Sequence, residues 1–127
     1  MKAKRILVID DDEAHLSSTR DILATEGYEV FTHVNGFGAT NRARDLKPDL
    51  ILLDVNMPAL SGENLLEIFR GNTGTRDLPV VFYSSNDEDV LRDAVRRFGA
   101  RGYISKGSLP ALRNRVAHYL RDAAAAR

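Results

Sequence analysis

The sequence predicts an α/β domain built as (βα)5, a doubly wound five-stranded parallel sheet with helices on both faces. Three apolar runs carry this reading: residues 6–9, 50–53 and 79–83. Unbroken runs of that length suit strands buried on both faces of a parallel sheet. Between them lie segments with apolar residues at helical spacing. The strand–helix alternation occurs five times, which implies right-handed crossovers with helices above and below the sheet.

The elements follow in order. Ile6 to Ile9 forms the first strand and ends in acids. Residues 13–26 place Leu16, Thr19, Ile22 and Leu23 on one helical face, with Gly27 as the stop. Glu29 to Val34 alternates in polarity and reads as a strand nearer an edge. Residues 37–47 form a less amphipathic helix that ends before Pro48. Leu50 to Leu53 forms the third strand, followed by a helix over 63–71 with Leu65, Leu66, Ile68 and Phe69. Pro79 to Tyr83 forms the fourth strand. The helix over 87–98 opens on Asp87, Glu88 and Asp89 and closes on Arg96 and Arg97, the charge order its dipole favours. Gly102 to Ser105 is a short fifth strand. Residues 109–122 complete the set, with Ser108 as N-cap, and Ala123 to Ala126 extends or frays that helix.

A chain of 127 residues suits one domain, with a core over residues 5 to about 121 and a tail at 122–127. Eighteen Lys and Arg balance eighteen Asp and Glu, so bulk charge draws the chain toward neither nucleic acid nor membrane. The absence of cysteine excludes disulfides, thiolate metal sites and a cysteine nucleophile, and fits a reducing compartment. No apolar run approaches the roughly 18 residues of a membrane span, and the basic N-terminus lacks the apolar stretch of a signal peptide. The expected location is the cytoplasm.

In open α/β sheets the chemistry gathers beyond the carboxyl ends of the strands. Those ends carry Asp10 and Asp11, Asp54, Ser84, and Lys106. Carboxylates roughly 5 Å apart repel by about 3 kcal/mol at an effective dielectric of about 20. A cation among them, or a retained proton, relieves this. Oxygen donors without His or Cys select Mg²⁺, with Mn²⁺ as the alternative. A divalent ion, the Lys106 ammonium and the Ser84 hydroxyl together cradle three phosphoryl oxygens. Asp54 ends the central run before a sharp Asn56-Met57-Pro58 turn and is the nucleophile candidate. The residues therefore point to an Mg²⁺-dependent aspartyl-phosphate site.

The motifs Ile6-Leu7-Val8-Ile9-Asp10-Asp11, Leu50-Ile51-Leu52-Leu53-Asp54-Val55-Asn56-Met57-Pro58, Val80-Val81-Phe82-Tyr83-Ser84-Ser85 and Gly102-Tyr103-Ile104-Ser105-Lys106, in this order, resemble the receiver domain of bacterial two-component response regulators. The resemblance covers residues 5 to about 121 and implies the flavodoxin-like receiver fold. It implies that Asp54 accepts a phosphoryl group from a sensor histidine kinase or a phosphotransfer protein. Asp11 would bind Mg²⁺ directly, Asp10 through water, and Asn56 through its backbone carbonyl, with Asp54 as a further ligand. Ser84 and Lys106 would contact the phosphoryl oxygens. Ser84 and Tyr103 would act as the switch that alters the face of the fourth helix, fifth strand and fifth helix. The implied partners are the kinase side and a downstream effector or a fused output domain, with the chain a monomer or weak dimer. Two positions depart from the family pattern. Gly107 replaces the usual proline, which predicts a trans bond and a looser 105–108 loop. Ser85 replaces a residue that is often alanine.

Other readings compete. A receiver-like scaffold that never takes phosphate would act by protein contact alone. A haloacid-dehalogenase-type phosphatase needs a second Asp two residues after the nucleophile, where Asn56 stands and cannot serve as general acid. A flavodoxin-like nucleotide carrier needs an amide-lined phosphate loop after the first strand, where Asp10, Asp11 and Asp12 repel phosphate. His15, His33 and His118 belong to no ligand pattern and read as surface or helix-face residues.

Overall fold

The computed structural model describes residues 2–125, so Ala126 and Arg127 of the expected tail lie outside the described residues. The elements are β1 (Arg5–Asp10), α1 (Glu13–Ala24), β2 (Glu29–Val34), α2 (Ala39–Leu46), β3 (Leu50–Leu53), α3 (Gly62–Arg70), β4 (Val80–Ser84), α4 (Glu88–Phe98), β5 (Gly102–Ser105) and α5 (Leu109–Ala125). The strands form one sheet in the order β2-β1-β3-β4-β5, every pair parallel. The doubly wound five-stranded fold is the one the strand–helix alternation predicts.

Period-two alternation divides the central strands between two cores. Ile6, Val8, Leu50, Leu52, Val81 and Tyr83 pack with α1 and α5 through Leu16, Leu23, Leu112 and Val116. Leu7, Ile9, Ile51, Leu53, Val80 and Phe82 pack with α2, α3 and α4 through Ala43, Leu66, Phe69 and Leu91. Every residue of β3 is buried, whereas β2, at the sheet edge, is only partly so. This is the distinction that run-like and alternating polarity encode.

Helix ends differ from the sequence reading where local backbone chemistry intervenes. α1 stops at Ala24, ahead of Gly27 at φ +88°. α2 begins only at Ala39 because Gly38 turns left-handed, and it ends at Leu46 with Lys47 also left-handed before Pro48. Asp12 caps α1 by accepting from the His15 amide at 3.2 Å, and Ser61 caps α3 by accepting from the Asn64 amide at 3.2 Å. Ser108 accepts from the Ala111 amide at 3.3 Å at the start of α5. α5 continues past residue 122 to Ala125, and Ala123 is buried, so the start of the alanine stretch is packed helix.

Gly102 admits α5 closely to β5. A Cβ there would lie 2.2 Å from the Tyr119 hydroxyl, which donates to the Tyr103 carbonyl at 3.2 Å.

Candidate active site

The winding direction reverses between β1 and β3, because α1 covers one face of the sheet and α3 the other. A crevice opens at such a point beyond the strand ends. The pairing of Ile9 with Leu53 brings Asp10 and Asp54 side by side there, and the Asp54 amide donates to the Ile9 carbonyl at 3.0 Å. Asp10, Asp54 and Ser84 are all buried, at 1%, 4% and 0% exposure. Asp11 stands exposed at the rim.

Carboxylate oxygens of Asp10, Asp11 and Asp54 lie within 4.8 Å of one another. Lys106 enters from the loop after β5. Its Nζ donates to Asp10 Oδ2 at 2.7 Å and lies 3.5 Å from Asp54 Oδ2. Asp10 Oδ1 also accepts from the Asp12 amide at 3.1 Å, and Asp54 Oδ1 accepts from the Asn56 amide at 3.2 Å. The Lys106 amide donates to the Ser84 carbonyl at 2.9 Å, which ties the loop to β4.

Titration follows these contacts. Burial pushes the Asp54 carboxyl above its ordinary value, with Lys106 opposing and the Asp10 charge assisting. Burial acts the same way on Asp10, but the Lys106 and Asp12 hydrogen bonds outweigh it and hold that carboxyl below its usual range. Burial opposes the charge on Lys106, and Asp10 and Asp54 overcome it, so the ammonium is held above its ordinary pKa. A single lysine thus faces two buried carboxylates with a third at the rim. That donor set, all oxygen and short of positive charge, fits a hard divalent cation. Asp10, Asp11 and Asp54 are the side chains that would hold it.

Of the other predicted residues, Asn56 is exposed, and its side-chain amide donates to Ser84 Oγ at 3.1 Å and to Asn86 Oδ1. Tyr103 is half-buried. Its hydroxyl donates to Glu88 Oε1, in the first turn of α4, at 3.3 Å. No cis peptide bond occurs among the described residues, so the bond before Gly107 is trans.

Comparison with known proteins identifies this arrangement. Residues 6–117 match the response regulator receiver domain family. The chain belongs to that family. Among curated relatives, the polar-differentiation response regulator DivK of Brucella anthropi is 32% identical over 121 residues, covering 94% of this chain and 98% of the relative. A CheY-like receiver domain protein from Methanospirillum hungatei superposes with a TM-score of 0.86 at 26% identity, over 99% of this chain and 100% of that one. The receiver domain of a sensor histidine kinase from Pseudomonas aeruginosa shares the fold at TM-score 0.82 and 22% identity, over 94% of this chain and 98% of that one. That protein holds a magnesium ion in its active-site cleft. Membership makes this chain a regulatory receiver domain of two-component signalling. Among the described residues no helix is long and apolar enough to cross a membrane.

Three residues of this receiver site escape the sequence reading. Gly62 begins α3, and a Cβ there would lie 2.1 Å from the Asp54 carbonyl oxygen, so the helix start abuts the Asp54 backbone. Its position just before the helical pattern is the one signal that marks it. His15, expected on the surface or a helix face, lies half-buried on α1, and what the sequence does not reveal is that its ring packs against Tyr83, with centroids 5.3 Å apart. Tyr83 sits within the apolar run of the fourth strand and looks like core, yet its ring centroid is 5.6 Å from Lys106 Nζ.

Proposed function

We propose that this receiver domain is a phosphoryl-accepting switch in which Asp54 is the acceptor. The observation that carries the reading is the contact of one ammonium, Lys106, with both Asp10 and Asp54 at the ends of strands far apart in sequence. In this reading an Asp54 carboxylate oxygen attacks the phosphorus of a phosphohistidine on a sensor kinase or phosphotransfer protein. The new O–P bond forms as the P–N bond breaks, and the imidazole leaves with the electron pair. Bound Mg²⁺, held by Asp11, Asp54, the Asn56 carbonyl and, through water, Asp10, would neutralise charge on the transferring group. Mn²⁺ satisfies the same oxygen set. Lys106 exchanges its contact with carboxylate for one with a phosphoryl oxygen. The Ser84 hydroxyl, now bonded to Asn56, turns to donate to another.

Movement of Ser84 opens space toward β5, and Tyr103 leaves Glu88 to follow it. The face of α4, β5 and α5 then changes, a population shift toward a state that an effector or output domain recognises. Catalysis of its own phosphorylation and later hydrolysis belongs to this reading, as do a cytoplasmic location, a single domain over the whole chain and a monomer or weak dimer.

The test is intact mass after incubation with acetyl phosphate and Mg²⁺. The wild type is expected to gain one phosphoryl group and Asp54→Ala none. Equal gain in both sinks the assignment of Asp54. No gain in the wild type, with Mg²⁺ binding established separately, favours a scaffold that works without phosphate.

A further inference from the structure

Lys106 springs from the loop beyond β5, yet its ammonium bonds to Asp10 at the end of β1. Two strands, β3 and β4, lie between. The flexible four-carbon stem must therefore cross the end of β4. The backbone beyond it offers little constraint. Gly107 adopts φ +152°, and no atom lies within 4 Å of where a Cβ would stand. Tyr83, the residue of β4 before Ser84, lies along that crossing. Its side chain is buried at 3% exposure on the α1/α5 face.

The Lys106 ammonium stands 5.6 Å from the Tyr83 ring centroid. The electron-rich face of an aromatic ring attracts a cation at this range, more strongly where water is excluded. The lysine side chain is only 16% exposed. Burial raises the Tyr83 hydroxyl pKa, so the ring remains a neutral phenol. The ring is itself held by α1, since His15 packs on it at 5.3 Å and 35°. Burial, then the nearby Lys106 charge, lowers the His15 pKa, which favours a neutral imidazole in that contact.

We propose that Tyr83 is a positioning residue for Lys106, its ring forming the platform that guides the ammonium across β4 into the carboxylate site, with His15 bracing the ring. The role of Lys106 in phosphoryl uptake rests on the function proposed above; its placement by Tyr83 does not.

The test compares Tyr83→Phe and Tyr83→Leu by two readouts. The first is the NMR signal of the Lys106 ε-methylene protons without phosphodonor, assigned by its loss in Lys106→Met. Wild type and Tyr83→Phe are expected to show the upfield displacement of protons near an aromatic face, and Tyr83→Leu to lose it. The second is the rate of phosphoryl uptake from acetyl phosphate with Mg²⁺. Tyr83→Leu is expected to slow it about fivefold to thirtyfold, the span of a partly desolvated cation–π contact, and Tyr83→Phe less than twofold. A folded Tyr83→Leu protein with an unmoved Lys106 signal overturns the proposal. So does equal slowing in both variants with Lys106 unmoved, which would mark a packing role. Tyr83→Met replaces the leucine variant if that fails to fold. A wild type that takes no phosphoryl group defeats the proposed function, while the Lys106 signal still decides the platform.

Discussion

Lys106 Nζ lies closer to Asp10 Oδ2, at 2.7 Å, than to Asp54 Oδ2, at 3.5 Å. The lysine therefore serves first as counter-ion to a buried carboxylate that Asp54 crowds. Lys106→Met leaves Asp10 and Asp54 facing each other without it. Breaking such a pair on one side costs about 3 kcal/mol. We expect the variant to unfold at lower urea in EDTA, and Mg²⁺ to recover more stability than it adds to the wild type. An unchanged midpoint in EDTA would show that the contact contributes nothing.

The carboxylate cluster predicts stabilisation by metal. A cation present at 100 times its dissociation constant and bound only to the folded state adds about 2.7 kcal/mol. Asp11 stands at the rim, so Asp11→Asn is expected to fold normally and to lose most of the Mg²⁺-dependent rise in melting temperature. Paired thermal melts with Mg²⁺ and with EDTA decide it; an equal rise in variant and wild type removes Asp11 from the metal site.

Gly62 is the steric partner of the Asp54 backbone. In Gly62→Ala the new Cβ, 2.1 Å from a backbone oxygen that no rotamer can move, must displace α3 or the Asp54 backbone. Overpacking of this kind costs about 1–3 kcal/mol. Urea unfolding should show that loss, and phosphoryl uptake should fall with it because Asp54 shifts. Uptake and stability both equal to wild type would mean that the helix start yields freely.

His15 gives the fold an acid-side weakness. Burial and Lys106 lower its pKa in the folded state, while Asp10 and Asp12 partly oppose them. A histidine whose folded pKa lies below the unfolded value near 6.5 contributes stability above that pH. The contribution is lost as pH falls through the folded value. His15→Phe keeps a ring against Tyr83 and cannot titrate, so its urea midpoint should decline less than that of wild type between pH 7.5 and 5. Parallel declines would refute the role of this imidazole.

Much of this molecule is legible along the chain. Apolar runs ending in Asp10, Asp54 and Ser84, with helical spacing between them, determine a parallel sheet whose polar residues emerge at one edge. Strand period and strand-end chemistry are local properties, written within a few residues, so the placement of Asp10, Asp54, Ser84 and Lys106 at strand ends is legible in the chain. Helix ends were less legible at Gly38, where a left-handed backbone delays α2, and beyond residue 122, where burial of Ala123 prolongs α5. Only the tertiary structure decided what lies between Asp54 and its neighbours. Asn56 bonding Ser84 and the Tyr83 ring beneath Lys106 join segments distant in sequence, and α3 abuts Asp54 through Gly62 only because the chain folds back after the turn. Such contacts depend on the docking of helices and the choice of rotamers, to which neither periodicity nor motif responds.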